Sequence, residues 1–346
     1  MRIAITTTQV PFIKGGAEIM VEGLEKALIK HGHETEIISI PFRFNRNEVW
    51  KAMEMWDAQS FETFECGRID RVICLKFPSF YLKSENKYVW LMHQHRSVYE
   101  LFGTPYGEPS DDSIALTLKS EITKRDTISL SEAKKVFTIS KRVSDRLKQF
   151  NGVNSIPLYQ PPKLANSLRT GDQLPYIYFP SRLETLKRQE LLIRSIQYMK
   201  SPCVIVISGD GGQWQYLNSL VTELGVSSRV KMLGRVNDDE LIRWYSNSLG
   251  IFFGPYEEDY GFITLEAMLS AKPIITCNDS GGPLEFVIDG ETGYITEPLA
   301  EAVAEAVDKL YFNRSKAKEM GFNGLQRYRD LRIDWDNVVE QLLSNH

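Results

Sequence analysis

The sequence predicts an α/β protein built from two Rossmann-like, doubly wound domains. Three observations carry that prediction. Short apolar runs alternate with amphipathic ones along nearly all of the 346 residues, the pattern of βαβ units on a parallel sheet. The alternation breaks once, across residues 157–175, where proline and polar residues gather and helical period is lost, and then restarts. The length is large for one core and comfortable for two.

The elements follow in order. Residues 2–7 read as a strand and 17–30 as an amphipathic helix ended by Gly32. Residues 34–40, 71–75, 88–92 and 136–139 are further apolar strands, with a long helix over 111–133. Ser140 suits the N-cap of a helix over 141–150. After the linker, strands are expected at 176–180, 203–208, 230–233, 250–253 and 274–276. Helices are expected at 188–199, 214–224, 239–246 and 262–270, and a helical tail over 298–345. The predicted domains are 1–160 and 161–346, the tail going with the second. Open α/β sheets bind ligands beyond the carboxyl ends of their strands. A cleft lined by those ends is therefore the expected site, and the loops after strands are the ones to read.

Bulk properties exclude several classes. Net charge is −4, with 42% hydrophobic and 25% charged residues. That is an ordinary globular composition, without the basic excess of a nucleic-acid binder. Cys66, Cys74, Cys203 and Cys277 show no metal-type spacing and fit a reducing cytosol. A strand begins at Arg2, so no signal peptide is expected, and no apolar run approaches the roughly 20 residues that span a bilayer. Residues 42–56 mix Arg43, Arg46 and Lys51 with Phe42, Phe44, Trp50 and Trp56. They suit either a peripheral contact with an acidic membrane or an acceptor, or a partly buried helix with a solvated face.

The densest chemistry lies at residues 258–268, where Glu258 and Glu266 bracket seven residues including Gly261. An apolar strand precedes them and an apolar helix follows. Such a turn aims backbone N–H groups and a positive helix end at one spot, which suits a polyhydroxylated anion. Arg182 and Lys187 follow the first strand of the second half and could hold a diphosphate by charge-assisted bonds; a solvated basic loop is the alternative. Gly209 and Gly211 follow the next strand, either approaching a ligand or making a tight turn. Arg235 and Val236 follow the third, where backbone could pair with a base. Gly281 and Gly282 precede Pro283 and read as a sugar-contacting turn or a simple helix entry. In the first half, Gly15 and Gly16 open a helix as a phosphate-cradle turn, lacking both Gly-x-Gly-x-x-Gly and the P-loop lysine. His93 and His95 share a parity at a strand end and both point toward the expected cleft, with Arg96 beside them. No third metal ligand accompanies the two histidines, so no metal is expected.

Together these residues resemble the retaining glycosyltransferases of glycosyltransferase family four, whose fold is GT-B. Glu258 and Glu266 match that family's Glu-x7-Glu motif. The similarity extends through Ala271-Lys272-Pro273-Ile274-Ile275, Gly281-Gly282 and Gly290-Glu291-Thr292-Gly293-Tyr294, and to Arg182, Lys187 and Gly209-Asp210-Gly211. The resemblance implies an acceptor-binding first domain and a donor-binding second one. It implies that Arg182 and Lys187 neutralise the donor diphosphate, Glu266 takes the ribose hydroxyls and Glu258 the hydroxyls of the transferred sugar. Backbone of Gly261, Phe262, Ile263 and Thr264 would touch phosphate and sugar, and Gly16 the phosphate. His93 would touch the donor sugar, with His95 as alternate. The sequence departs from the family in Asp259-Tyr260, where Tyr260 adds a bulky side chain beside the expected sugar pocket, and in Tyr159-Gln160-Pro161-Pro162 at the hinge.

The implied reaction is metal-independent hexosyl transfer, without a cofactor, from a nucleotide sugar to a saccharide or lipid-linked acceptor. UDP-glucose is the expected donor and GDP-mannose the alternative. The expected setting is polysaccharide or glycoconjugate synthesis in the cytoplasm, at the inner face of the membrane for a lipid-linked acceptor. A non-catalytic nucleotide-sugar sensor is the rival from another class.

Overall fold

The computed structural model describes residues 1–12, 15–65 and 67–344. The chain divides into two compact units, Met1–Gln160 with Asp334–His346, and Pro161–Ile333. The first contains β1 (Arg2–Gln9), α1 (Gly16–Lys30), β2 (Glu34–Pro41), α2 (Arg46–Asp57) and a small hairpin of β3 (Thr63–Phe64) with β4 (Gly67–Arg68). It continues with β5 (Arg71–Cys74), β6 (Lys87–Leu91), α3 (Ser113–Ser131), β7 (Lys135–Thr138), α4 (Lys141–Asn151) and β8 (Ile156–Pro157). The main sheet runs β2-β1-β5-β6-β7-β8 with every pair parallel. Chain progression reverses between β1 and β5.

The second unit repeats the plan. Its order is β9 (Tyr176–Pro180), α5 (Gln189–Ser195), β10 (Val204–Ser208), α6 (Trp214–Glu223), β11 (Val230–Met232), α7 (Asp238–Asn247) and β12 (Gly250–Phe252). Then come α8 (Phe262–Leu269), β13 (Ile274–Cys277), α9 (Pro283–Phe286), β14 (Gly293–Thr296), α10 (Ala300–Phe312) and α11 (Arg314–Asp330). The parallel sheet runs β11-β10-β9-β12-β13-β14, reversing between β9 and β12. That reversal opens a crevice where two neighbouring strands send their following helices to opposite faces.

Local chemistry explains the element ends. Ser140 Oγ accepts the Val143 N–H at 3.1 Å and starts α4, and Gly152 at φ +68° ends it. Asn237 and Glu240 form a reciprocal capping box on α7. The inner strands β1, β5, β6 and β7 of the first sheet and β9, β10, β12 and β13 of the second are buried on two faces, as parallel sheets between helices require, while the edge strand β2 is not. Phe179, Phe252 and Phe253 meet edge to face in the second core.

Several expectations need correction. The tail does not stay with the second unit. Its last helix, α12 (Trp335–Leu343), lies in the first, with Val338, Val339 and Leu342 buried. Gly23 in mid-α1 explains how Trp335 docks: a Cβ there would sit 2.1 Å from the indole. The helix expected over 188–199 begins at Gln189, because Arg188 is left-handed at φ +57°, and ends by Ser195. Residues of the expected linker are anchored: Leu174 N–H donates to Asn247 O at 2.9 Å and the buried Lys272 donates to Asp172 O at 2.6 Å. Of residues 42–56, those from Arg46 onward belong to α2, which buries Val49, Ala52, Met53 and Trp56 and leaves a solvated face. Cys74, Cys203 and Cys277 are buried free thiols, while Cys66 lies outside the described residues.

One buried acid has a measurable consequence. Asp126 on α3 is fully buried and accepts from the hydroxyls of Tyr81 and Tyr99, each at 2.7 Å. Burial outweighs those bonds and pushes its carboxyl up to about 7. In the unfolded chain this group titrates near 4, so between those values the native state holds more protons. Stability contributed here is therefore present at low pH and lost as pH rises from about 4 to 7. Urea midpoints at pH 5 and pH 8 should show that fall, and Asp126→Asn should reduce it, with Glu266, also raised to about 7, contributing in the same direction.

Candidate active site

The crevice of the second unit is walled by the loops after β9 and β12. Beyond Pro180 the first loop exposes Arg182, then makes one tight turn over Thr185–Lys187. Lys187 Nζ pairs with the Glu258 carboxylate of the second loop and lies over the Phe253 ring, 5.5 Å from its centroid. Both side chains are mostly buried, 17% and 22% exposed, so the pair is partly shielded from water. Arg188 grips Asp279 through two bonds of 2.8 and 2.7 Å, fixing the β9 loop to the loop after β13. Sequence reading did not single out this second pair.

Gly209 and Gly211 are explained by backbone packing. Their φ values are +130° and +148°, and added Cβ atoms would stand 1.8 Å from Ser181 O and 2.6 Å from Leu183 O. The β9 loop crosses directly over them, held by Leu183 N–H to Asp210 O at 2.8 Å. Both glycines thus serve the loop that carries Arg182 and Lys187. The same device recurs after β13. Gly282 N–H donates to Glu258 O at 2.8 Å, and a Cβ on Gly281 would lie 2.5 Å from that oxygen.

Tyr260 requires a correction. Its side chain is only 3% exposed and packs edge-on against Phe262 and Phe286 at 5.0 and 5.6 Å. The ring that was expected to crowd the sugar pocket is core. Gly261, at φ +92°, turns the chain into α8. The first-turn N–H groups of Phe262 and Ile263 have no acceptor within the helix, and the buried Thr264 Oγ1 has no partner among the described residues. This positive helix end lies three residues beyond Glu258.

Glu266 stands one turn further along α8. Its carboxylate accepts from the Tyr245 hydroxyl at 2.5 Å. Burial pushes it up to about 7, against the pull of that bond, and Asp238 adds to the rise. Arg235 is exposed and Val236 half-buried, both after the outermost strand β11, two places from β9.

In the first unit, Gly15, Gly16 and His93 lie beyond the carboxyl ends of β1 and β6. Gly15 N–H is occupied by the Glu18 carboxylate at 2.7 Å, so one cradle donor caps its own helix. His93 is half-exposed, with Nδ1 2.7 Å from Gln94 O. A carbonyl partner requires N–H at Nδ1. His95 does not share that setting. It is 7% exposed, stacks on Phe77 at 5.0 Å, and burial with His93 lowers it to about 4. The parity argument fails because β6 ends at Leu91, and alternation holds only inside a strand. Arg96 is engaged by Glu100, which also takes Arg146 at 3.2 Å.

Among the described residues no cluster of three His, Cys, Asp or Glu side chains could hold a metal, and no helix is long and apolar enough to cross a membrane.

Comparison with known proteins identifies the fold and the kind of enzyme. Residues 162–327 match the family model for glycosyl transferases group 1. The chain is 25% identical over 383 aligned positions to an uncharacterized glycosyltransferase, MJ1607 of Methanocaldococcus jannaschii, covering 99% of this chain and 97% of that one. It is 24% identical to the alpha-1,3/1,6-mannosyltransferase ALG2 of Mus musculus, over 82% of this chain and 72% of ALG2. Anabaena HepE, solved in complex with UDP and glucose, superposes with a TM-score of 0.68 at 17% identity, covering 99% of this chain and 98% of HepE. The fold is that of GT-B glycosyltransferases. Residues 162–327 form a domain of the glycosyl transferases group 1 kind, and the chain is a glycosyltransferase.

Proposed function

We propose that the protein is a retaining, metal-independent hexosyltransferase that uses a nucleoside diphosphate sugar, UDP-glucose first. The observation that carries this reading is the Lys187–Glu258 pair at the crevice, beside the open N-terminus of α8. Without donor, each charge shields the other. With donor, Lys187 turns to the diphosphate and Glu258 to the hydroxyls of the sugar, so nucleotide and sugar are sensed together. Arg182, exposed nearby, adds a second cation, and Glu266 takes the ribose. For the first unit we assign Gly16 a phosphate contact and His93 a contact with the transferred sugar.

The anomeric C–O bond to phosphate breaks as the bond from the acceptor oxygen forms on the same face. The acceptor's proton passes to the departing phosphate oxygen. Lys187, Arg182 and the α8 amides stabilise the negative charge that grows there, an electrostatic role that needs no divalent ion. The acceptor is a saccharide or a lipid-linked saccharide, met in the cytoplasm or at the inner membrane face. Likeness to a mannosyltransferase, ALG2, supports a mannosyl donor, and so GDP-mannose, as the second reading.

A thermal-shift panel of UDP-glucose, UDP and GDP-mannose in chelator-treated buffer tests this. A ligand at 100 times its Kd should add about 2.7 kcal/mol of stability. No shift with any of the three would reject the donor assignment, and an inverted product linkage would reject retention.

A further inference from the structure

We propose that Tyr245 is a positioning residue of the donor site, its buried hydroxyl fixing the Glu266 carboxylate toward the ribose of the nucleotide. The inference rests on the donor reading above and extends it to a residue outside the family motif. Glu266 has three rotatable bonds and would otherwise spend conformational entropy on each binding event. Tyr245 removes that freedom. Its ring is fully buried on α7, and its hydroxyl reaches the carboxylate at 2.5 Å.

The hydroxyl is itself held in place. Tyr178 on β9 meets the Tyr245 ring edge-on at 5.4 Å and stacks on Trp244 at 6.2 Å. Tyr178 in turn shares a hydrogen bond of 2.6 Å with Ser208 Oγ at the end of β10. The rigid sheet therefore sets where the carboxylate stands. One phenol proton fills one lone pair, and the remaining oxygen can accept the two ribose hydroxyls.

The charges around Glu266 make the idea measurable. Tyr245 favours the ionised carboxylate, whereas burial and Asp238 oppose it. Asp238 is paired with Lys163 at 2.7 Å, and Glu240 acts on the neighbouring Tyr178. Taking away the phenol removes the one bond that favours ionisation, so the carboxylate should titrate at higher pH.

The experiment is calorimetric titration of UDP and of GDP from pH 6 to 9, with wild type, Tyr245→Phe and Glu266→Gln. For wild type the diphosphate that binds should tighten as pH rises through about 7. Tyr245→Phe should weaken it by about 5- to 10-fold at pH 7, the worth of one hydrogen bond. Its midpoint should move to higher pH and part of the affinity should return by pH 9, while Glu266→Gln should bind weakly and without that pH dependence. A Tyr245→Phe curve with the wild-type midpoint, or one weakened equally at every pH, overturns the inference and leaves the donor reading standing. If wild type binds neither diphosphate, the donor reading fails and takes this inference with it.

Discussion

Lys187→Ala is expected to lower kcat by about 10- to 150-fold, with a much smaller change in donor KM. The estimate is about 1.5–3 kcal/mol for one charged hydrogen bond to the leaving group. In the proposed reaction charge on the departing phosphate grows toward the transition state, so the ammonium would be worth most there. Removing it also strands Glu258, whose side chain is only 22% exposed. Some loss of folding stability should accompany the kinetic effect. Lys187→Arg keeps a cation and should recover part of the rate. Steady-state kinetics on the donor identified by thermal shift would check this, and a near-normal kcat in Lys187→Ala would remove the lysine from leaving-group duty.

Gly209→Ala should be the most damaging small substitution in the second unit. A methyl at φ +130° is strained in itself, and this one would stand 1.8 Å from Ser181 O. That oxygen belongs to backbone and cannot swing away. The loop carrying Arg182 and Lys187 must lift, at a cost of about 2–4 kcal/mol. Gly212→Ala is the natural control. No atom lies within 4 Å of its added Cβ, and its φ is outside the left-handed range. It should stay within about 0.5 kcal/mol of wild type. Equal urea midpoints for the two variants would refute the account of loop packing.

How much of this could be read from the residues depends on periodicity. Strands β1, β2, β9, β10, β12 and β13 announce themselves as apolar runs between turn residues, and the structure confirms them within a residue or two. The two-residue strands β3, β4 and β8 have no period to display. Strand β14 lies in the Gly-rich run around Gly293, which reads as a loop until its pairing with β13 is seen. Glu258 and Glu266 stand out as candidates because motif spacing is local. Tyr245 does not, because it lies 21 residues before Glu266 on a different helix and looks like any core tyrosine. The Arg188–Asp279 pair joins positions 91 apart and carries no mark in the sequence. Tyr260 misled for the converse reason: composition shows that a ring is present, whereas only packing shows which way it points.

The return of Asp334–His346 to the first unit means that the backbone passes from one half to the other twice, after Gln160 and again after Ile333. A protease nick in the segment following Gln160 should therefore not release two independent pieces. The C-terminal fragment would stay clipped to the N-terminal one through the indole seated on Gly23. A truncation that stops at Gln160 would leave that seat empty and an apolar strip of α1 bare, so it should be recovered as an aggregate unless the missing peptide is supplied in trans.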